Sequence, residues 1–255
     1  MHPPHRSYII WMTPRTGSTL LSELLAQSQQ LGHPHELFTL EPHSSLAEHY
    51  QVDSWERLRD ELWSRSALDT GCMALKYGIY RSRHEPIVQE LRQLQGLAEV
   101  DLWNWAPFEE LFPRCQHLFL TRRNKLRQVI SWWKAIQDQQ WHLRPGQSRE
   151  QTNHFYEDKY DFAALQHLLK EVQLREAATQ QFFSDNNLTP LTVVYEDLIQ
   201  DVVHQLGRIL AFLGLEPQLA AQSKPSFLPT RSEINDQWEA RLREDLQTGW
   251  NHRAW

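Results

Sequence analysis

The chain has 255 residues and a net charge of −6, its pI is near 6.1, and 40% of its residues are hydrophobic. This length suits one α/β domain with a sizeable core. The composition excludes a disordered chain, and the acidic balance disfavours a general nucleic-acid binder. No apolar stretch approaches the roughly 20 residues of a membrane span, and the first apolar run stops at Pro14-Arg15, unlike a signal peptide. We therefore expect a cytoplasmic protein with no membrane span and no nucleic-acid partner.

Four short apolar runs predict β-strands at Tyr8–Met12, Cys72–Lys76, His117–Thr121 and Leu191–Tyr195. Because these runs are continuously apolar, we expect strands covered on both faces, as in a parallel sheet. Helical patterns are predicted at Ser18–Gln29, Ser54–Ser66, Glu85–Gln95, Asn124–Gln139, Phe155–Asn186, Ile199–Leu213 and Ser232–Leu246. This alternation predicts an α/β three-layer domain, with a central parallel sheet flanked by helices and one domain over residues 1–255.

Two long connections do not fit the alternation of strands and helices. Gly32–Val52 is rich in His and Pro, and Asp138–His154 is polar and carries Pro145-Gly146. Long loops in compact α/β domains are often functional. We therefore expect both connections to contribute to a site.

The strongest local signal is the turn after the first strand, Thr13–Thr19, here called the anion loop. The backbone N–H groups and the dipole at the start of the next helix favour an anion. Gly17 lets the backbone approach a ligand closely, and Arg15 adds charge. The hydroxyl donors are Thr16, Ser18 and Thr19. These features favour an anion site in a P-loop-like fold over an ordinary turn capped by Ser18.

The anion loop is not a Walker A loop, which needs Gly-x-x-x-x-Gly-Lys-[Ser/Thr]. No Lys precedes Ser18. A nucleoside triphosphatase also needs an acid at the end of a second strand to help hold Mg²⁺, whereas the third strand ends in Thr121-Arg122-Arg123-Asn124-Lys125. We therefore expect protein cations to hold the anion and predict no metal.

The segment Pro14-Arg15-Thr16-Gly17-Ser18-Thr19 resembles the 5′-phosphosulfate loop of sulfotransferases, Pro-[Lys/Arg]-[Ser/Thr]-Gly-[Ser/Thr]-Thr. Arg123-Asn124, followed eight residues after the arginine by Ser131, resembles their 3′-phosphate motif. Further similar segments are Gly32–Phe38, Gln128–Gln137 and Tyr195–Leu198. In this order they resemble the bacterial carbohydrate sulfotransferases, of the trehalose 2-sulfotransferase and nodulation sulfotransferase type. The resemblance implies 3′-phosphoadenosine-5′-phosphosulfate (PAPS) as co-substrate and a hydroxyl of a carbohydrate or glycolipid as acceptor.

The resemblance also implies how the donor would be held. Arg15 and Thr16–Thr19 would bind the 5′-phosphosulfate, with Arg15 also acting in catalysis. Ser131 would bind the 3′-phosphate together with Arg122 or Arg123. The family alignment fits Arg122, whereas the spacing of about two helical turns fits Arg123, so both stay open.

Glu36 matches the carboxylate that acts as base in the resembling carbohydrate enzymes, so the resemblance implies that it takes the acceptor proton. Lys76, at the end of the second strand, matches a lysine near that site and would stabilise transition-state charge. His33, His35 and Phe38 surround Glu36 in sequence and are predicted to contact the acceptor. Either histidine is a competing base, because many other sulfotransferases use histidine. A metal at this His-x-His pair is not expected, because no further ligands are spaced nearby.

Two other functions stay open on the sequence. One is a P-loop small-molecule kinase, which would show Mg²⁺-dependent ATP turnover. The other is a non-catalytic module that binds a nucleotide or a carbohydrate. Arg231, in the polar loop before the last helix, is a further candidate for the 3′-phosphate, and the Trp-rich surface is compatible with a homodimer.

Overall fold

The computed structural model describes residues 3–40, 44–98, 101–139, 141, 156, 158–224 and 233–255. Within them, one sheet is formed by β1 (Arg6–Met12), β2 (Cys72–Tyr77), β3 (Cys115–Thr121) and β4 (Leu191–Val194). All pairs are parallel, in the order β2-β1-β3-β4. The four predicted strands are confirmed, with β1 and β3 each beginning two residues earlier. Strand β2 ends one residue later than predicted and β4 one residue earlier, because Tyr195 begins a helix.

The helices of the described residues are α1 (Ser18–Ala26), α2 (Leu46–Tyr50), α3 (Trp55–Ser66), α4 (Arg81–Gln95), α5 (Lys125–Asp138), α6 (Phe162–Asp185), α7 (Tyr195–Gln200), α8 (Val202–Phe212) and α9 (Glu233–Leu246). Every predicted helix has a counterpart, but Ile199–Leu213 was wrong as a single helix. It is divided at Asp201, whose side chain accepts from His204 N and caps α8. The short helix α2 lies in the Gly32–Val52 connection, where no helix was predicted.

Helices cover both faces of the sheet, because successive residues of a strand point to opposite sides. Ile9 and Trp11 of β1 pack in one buried cluster with α3, α4 and the end of α6. Tyr8 and Ile10 pack in another with α1 and α8. The predicted α/β fold with a central parallel sheet flanked by helices is confirmed. Each helix in the described ranges is too short or too polar to cross a membrane.

The strand order determines where a ligand can bind. From β1 the chain adds β2 on one side and then β3 on the other. The carboxyl ends of β1 and β3 therefore flank the point where the order reverses, which is where open α/β sheets bind ligands. The anion loop follows β1 at this point, and the turn into α5 follows β3 beside it.

Candidate active site

The anion loop leaves β1 with an unusual backbone path. Arg15 and Gly17 both have left-handed φ values, 65° and 92°. A Cβ on Gly17 would come within 3.0 Å of two ring atoms of Tyr195, so packing as well as φ requires glycine here. Gly17 is also the N-cap of α1. Since it offers no capping side chain, this helix start has the form that binds anions.

Helix α5 holds the anion loop from the neighbouring strand. The buried Gln128 donates through Nε2 to Thr13 Oγ1 and to the carbonyl of Pro14, both at 2.8 Å. One turn later, Ser131 Oγ accepts from Arg15 Nε at 3.1 Å. Residues three apart lie on the same helix face. The element predicted for the 3′-phosphate therefore contacts the loop predicted for the 5′-phosphosulfate.

The two arginines after β3 have different surroundings. The Arg122 side chain is 14% exposed, and its Nη1 donates to the carbonyl of Arg15 at 3.3 Å. Its guanidinium carbon lies 4.5 Å from the centre of the Tyr195 ring. Arg123 is 63% exposed and pairs with both carboxylate oxygens of Asp197 at 2.9 to 3.0 Å. Arg122 is thus turned to the anion loop and Arg123 to the surface.

Glu196, which follows β4, holds the turn between β3 and α5. Its carboxylate accepts the N–H of Arg123 at 2.8 Å and of Asn124 at 3.2 Å, and lies 3.6 Å from Arg122 Nε. Burial alone would raise the pKa of Glu196, but these N–H donors and Arg122 bring it below its usual range. The Glu196 carboxylate therefore occupies the N–H groups of Arg123 and Asn124, and these two groups are not available to a bound anion.

The segment that precedes Glu36 runs along the outer edge of β2. A Cβ on Gly32 would come within 3.0 Å of the carbonyl oxygens of Cys72 and Ser66, so glycine permits this close approach. Three residues later, His35 forms an isolated parallel bridge with Leu75. The segment therefore behaves as a short extra edge of the sheet and delivers Glu36 to the carboxyl end of β2.

Glu36 and Lys76 form an ion pair at that end of β2. Glu36 Oε1 lies 3.3 Å from Lys76 Nζ, and the two side chains are 38% and 12% exposed. The backbone N–H of Lys76 donates to the carbonyl of His35 at 2.8 Å, and Thr39 Oγ1 donates to Glu36 Oε2 at 3.4 Å. The pair holds the carboxylate in an open position that an acceptor hydroxyl can reach.

The two histidines before Glu36 lie side by side. The rings of His33 and His35 stack with centres 4.4 Å apart. The pKa of His33 is lowered mainly by burial and further by the positive charge of the nearby Lys76. The pKa of His35 is lowered mainly by burial and further by the charges of His33 and Lys76. Both imidazoles are therefore neutral at pH 7 and can accept a hydrogen bond.

Phe38 does not line the site as predicted. It is 1% exposed and packs against Tyr77, Phe108 and Phe112 in the cluster on one face of the sheet. Its ring turns into this cluster because the chain leaves the edge of β2 after Glu36. We therefore correct the prediction of acceptor contact and assign Phe38 to the core.

Sequence reasoning placed Gln128, Tyr195 and Glu196 in segments similar to the family but assigned them no role. A signal existed for each: Gln128 lies one turn before Ser131, Tyr195 ends the predicted fourth strand, and Glu196 directly follows it. Arg231 lies outside the described residues, as does most of Asp138–His154. From that second connection, the carbonyl of Trp141 accepts from Arg15 Nη1.

The arrangement can bind a ligand with two anionic ends, with the Glu36 carboxylate at the neighbouring strand end. The anion loop and the turn after β3 supply two basic elements at the same edge of the sheet, joined by the contact between Arg15 and Ser131. Glu36 and Lys76 lie at the adjacent strand end. In the described part of the chain, no three His, Cys, Asp or Glu side chains come together as a metal site would require.

This chain is similar to proteins of known activity and to solved structures. Two relatives are trehalose 2-sulfotransferases. The protein from Mycolicibacterium smegmatis is 23% identical over 96% of this chain and 97% of its own. The protein from Mycobacterium tuberculosis is 22% identical over 94% and 95%.

Similar solved structures include two sulfotransferases. The domain from the Synechococcus olefin synthase has 18% identity, a TM-score of 0.43 and 96% coverage of both chains. The sulfotransferase from Alicyclobacillus acidocaldarius has 13% identity, a TM-score of 0.49 and coverage of 97% and 95%. The sequence model of the Stf0 sulphotransferase family matches residues 7–245. This chain therefore belongs to the Stf0 sulphotransferase family.

Proposed function

We propose that this chain transfers the sulfonyl group of PAPS to a hydroxyl of a carbohydrate or glycolipid acceptor, with residues 1–255 acting as one domain. The observation that carries the proposal is the contact of Arg15 with Ser131, which joins two basic elements at the same edge of the sheet. A donor with a phosphosulfate at one end and a phosphate at the other needs two such elements. Family membership supports sulfotransfer, and the trehalose 2-sulfotransferase relatives support a carbohydrate acceptor.

The anion loop binds the 5′-phosphosulfate in this proposal. The backbone N–H groups of Thr16–Thr19, at the start of α1, face the anion together with the Arg15 guanidinium. Thr16 contributes its N–H alone, because its hydroxyl already donates to the carbonyl of Thr13 at 2.9 Å. Ser131 binds the 3′-phosphate with one of the two arginines that follow β3.

The reaction is an in-line displacement at sulfur. The acceptor oxygen forms a bond to sulfur while the bond from sulfur to the phosphate oxygen breaks, and adenosine 3′,5′-bisphosphate leaves. Glu36 takes the acceptor proton. Arg15 stabilises the charge that develops on the leaving phosphate, and Lys76 the charge on the transferring group. His33 and His35, as neutral imidazoles, accept hydrogen bonds from the acceptor.

Calorimetric titration with adenosine 3′,5′-bisphosphate in EDTA tests the donor, with ATP titrated in parallel with and without Mg²⁺. We expect metal-free binding of the bisphosphate and weaker binding of ATP. Arg15→Ala should lower the affinity for the bisphosphate by about tenfold or more. Arg57→Ala, at an exposed position, should leave this affinity unchanged. Absence of bisphosphate binding, with Mg²⁺-dependent ATP binding, would favour the kinase alternative.

Incubation with PAPS and a panel of sugars that includes trehalose tests the transfer. Mass spectrometry should detect a sulfonated acceptor and release of the bisphosphate. Product formation on any acceptor would exclude the non-catalytic binding module.

A further inference from the structure

Arg122 points back to the anion loop rather than out to solvent. Its Nη1 holds the carbonyl of Arg15 at 3.3 Å, and Arg15 has a left-handed φ of 65°. A residue other than glycine rarely adopts this conformation, which persists where surrounding contacts impose it. The hydrogen bond from Arg122 is made to the Arg15 backbone itself and so supports this conformation directly.

Tyr195 extends this contact to the other left-handed position of the loop. The Arg122 guanidinium lies 4.5 Å from the Tyr195 ring centre. The same ring lies so close to Gly17 that a Cβ there would come within 3.0 Å of it. Arg122 and Tyr195 therefore contact the loop at Arg15 and at Gly17.

Sheet register explains why these residues meet. The last pair between β3 and β4 joins Thr121 to Val194, so Arg122 and Tyr195 are the next residues of two adjacent strands. A guanidinium can stack on a ring and donate in its own plane at once, whereas an ammonium cannot. Lysine at position 122 would keep the charge but lose this double contact.

We propose that Arg122 is a positioning residue: with Tyr195 it holds the anion loop in its left-handed path and so directs the Arg15 side chain to Ser131. Arg123 is then the arginine available to the 3′-phosphate. The inference rests on the proposed function, because it assumes that the loop binds the phosphosulfate.

The surroundings of the two arginines favour this division. The Arg122 side chain is 14% exposed and already contacts the Arg15 carbonyl and the Tyr195 ring. The pair of Arg123 with Asp197 lies at the surface, where ion pairs contribute little. Arg123 can therefore exchange Asp197 for a phosphate with little loss.

The test compares adenosine 3′,5′-bisphosphate with adenosine 5′-monophosphate, which lacks the 3′-phosphate. The ratio of their dissociation constants measures the contribution of that phosphate. Arg122→Lys and Tyr195→Leu should each raise the dissociation constants of both nucleotides by about tenfold. The ratio of the two constants should stay within about twofold of the wild-type value. Arg123→Gln should instead lower the ratio by about tenfold.

The exposed Arg57→Lys is the matched control, and thermal unfolding checks that each variant is folded. A ratio that falls in Arg122→Lys as far as in Arg123→Gln would overturn the positioning role. Wild-type affinity for both nucleotides in Arg122→Lys and Tyr195→Leu would overturn it as well. If the wild-type chain binds neither nucleotide, the proposed function itself fails, which is a separate result.

Discussion

Glu36 gains its position from an ion pair and not from burial. Lys76 holds its carboxylate at 3.3 Å while more than a third of the side chain stays exposed. A base in such a position can take a proton from a bound hydroxyl and return it to water after turnover. His33 and His35, which precede Glu36 in the chain, stay the alternative bases.

Glu36→Gln keeps the shape of the side chain and removes the proton acceptor. We expect kcat to fall by about 10²-fold or more, with little change in affinity for adenosine 3′,5′-bisphosphate. Single-turnover assays with PAPS and calorimetry measure the two effects. Glu56→Gln, at an exposed position on α3, is the control. If His33→Gln or His35→Gln loses as much activity while Glu36→Gln keeps it, a histidine is the base.

At the level of elements, the connection that carries Glu36 is held at two places. Its first part lies on the edge of β2 through Gly32 and His35. Further along, α2 begins with a capping box between Ser45 and Glu48. Glu90 of α4 accepts the first N–H groups of α2, from Leu46 and Ala47, at 2.7 and 2.8 Å. The first anchor lies directly before Glu36 in the chain and is the one that sets the position of this residue.

Gly32→Ala should displace the first anchor. The added methyl would meet backbone carbonyls of Cys72 and Ser66, which cannot rotate away. We expect a loss of about 1–3 kcal/mol in the free energy of unfolding and a lower kcat, because Glu36 moves away from Lys76. Urea titration and turnover assays measure both.

Gly96→Ala is the control for backbone strain. Gly96 has φ 64° and open space around its Cα, so alanine there should cost about 1 kcal/mol and keep kcat unchanged. A Gly32→Ala variant with full turnover would contradict the role given to the edge segment.

At the scale of the whole molecule, two buried histidines lie in the aromatic core beneath the sheet. His117 Nδ1 accepts from Trp11 Nε1 at 3.0 Å, and His84 Nδ1 is hydrogen-bonded to the Tyr77 hydroxyl at 2.9 Å. Burial lowers the pKa of each to about 4. The fold therefore requires both imidazoles to be neutral.

Stability should consequently fall in mild acid. Between the unfolded pKa of about 6.5 and the folded value of about 4, the unfolded chain binds more protons. The free energy of unfolding therefore decreases as pH falls through this window, by up to about 3 kcal/mol for each histidine. Urea titrations from pH 7.5 to 5 measure the slope.

His117→Gln keeps a hydrogen-bond acceptor for Trp11. It should lower the slope by an amount that corresponds to about one proton fewer taken up on unfolding. The exposed His204→Gln should leave it nearly unchanged. An unaltered slope in His117→Gln would show that this residue does not control acid stability.

Much of the fold and the outline of the site followed from local sequence. Continuous apolar runs indicated β1 to β4, and the turn chemistry of Thr13–Thr19 indicated an anion loop, because neighbouring residues control these features. Arg15, Ser131 and Glu36 were named from motifs. Their roles in donor binding and proton transfer stay proposals.

The directions of side chains at the strand ends depended on the tertiary structure. Arg122 faces the anion loop while Arg123 faces solvent, and Phe38 is buried although its neighbour Glu36 is open. The contacts of Gln128 and Tyr195 with the loop come from other strands. Strand order and register bring these distant segments to one edge, and no local pattern encodes how separate strands are aligned.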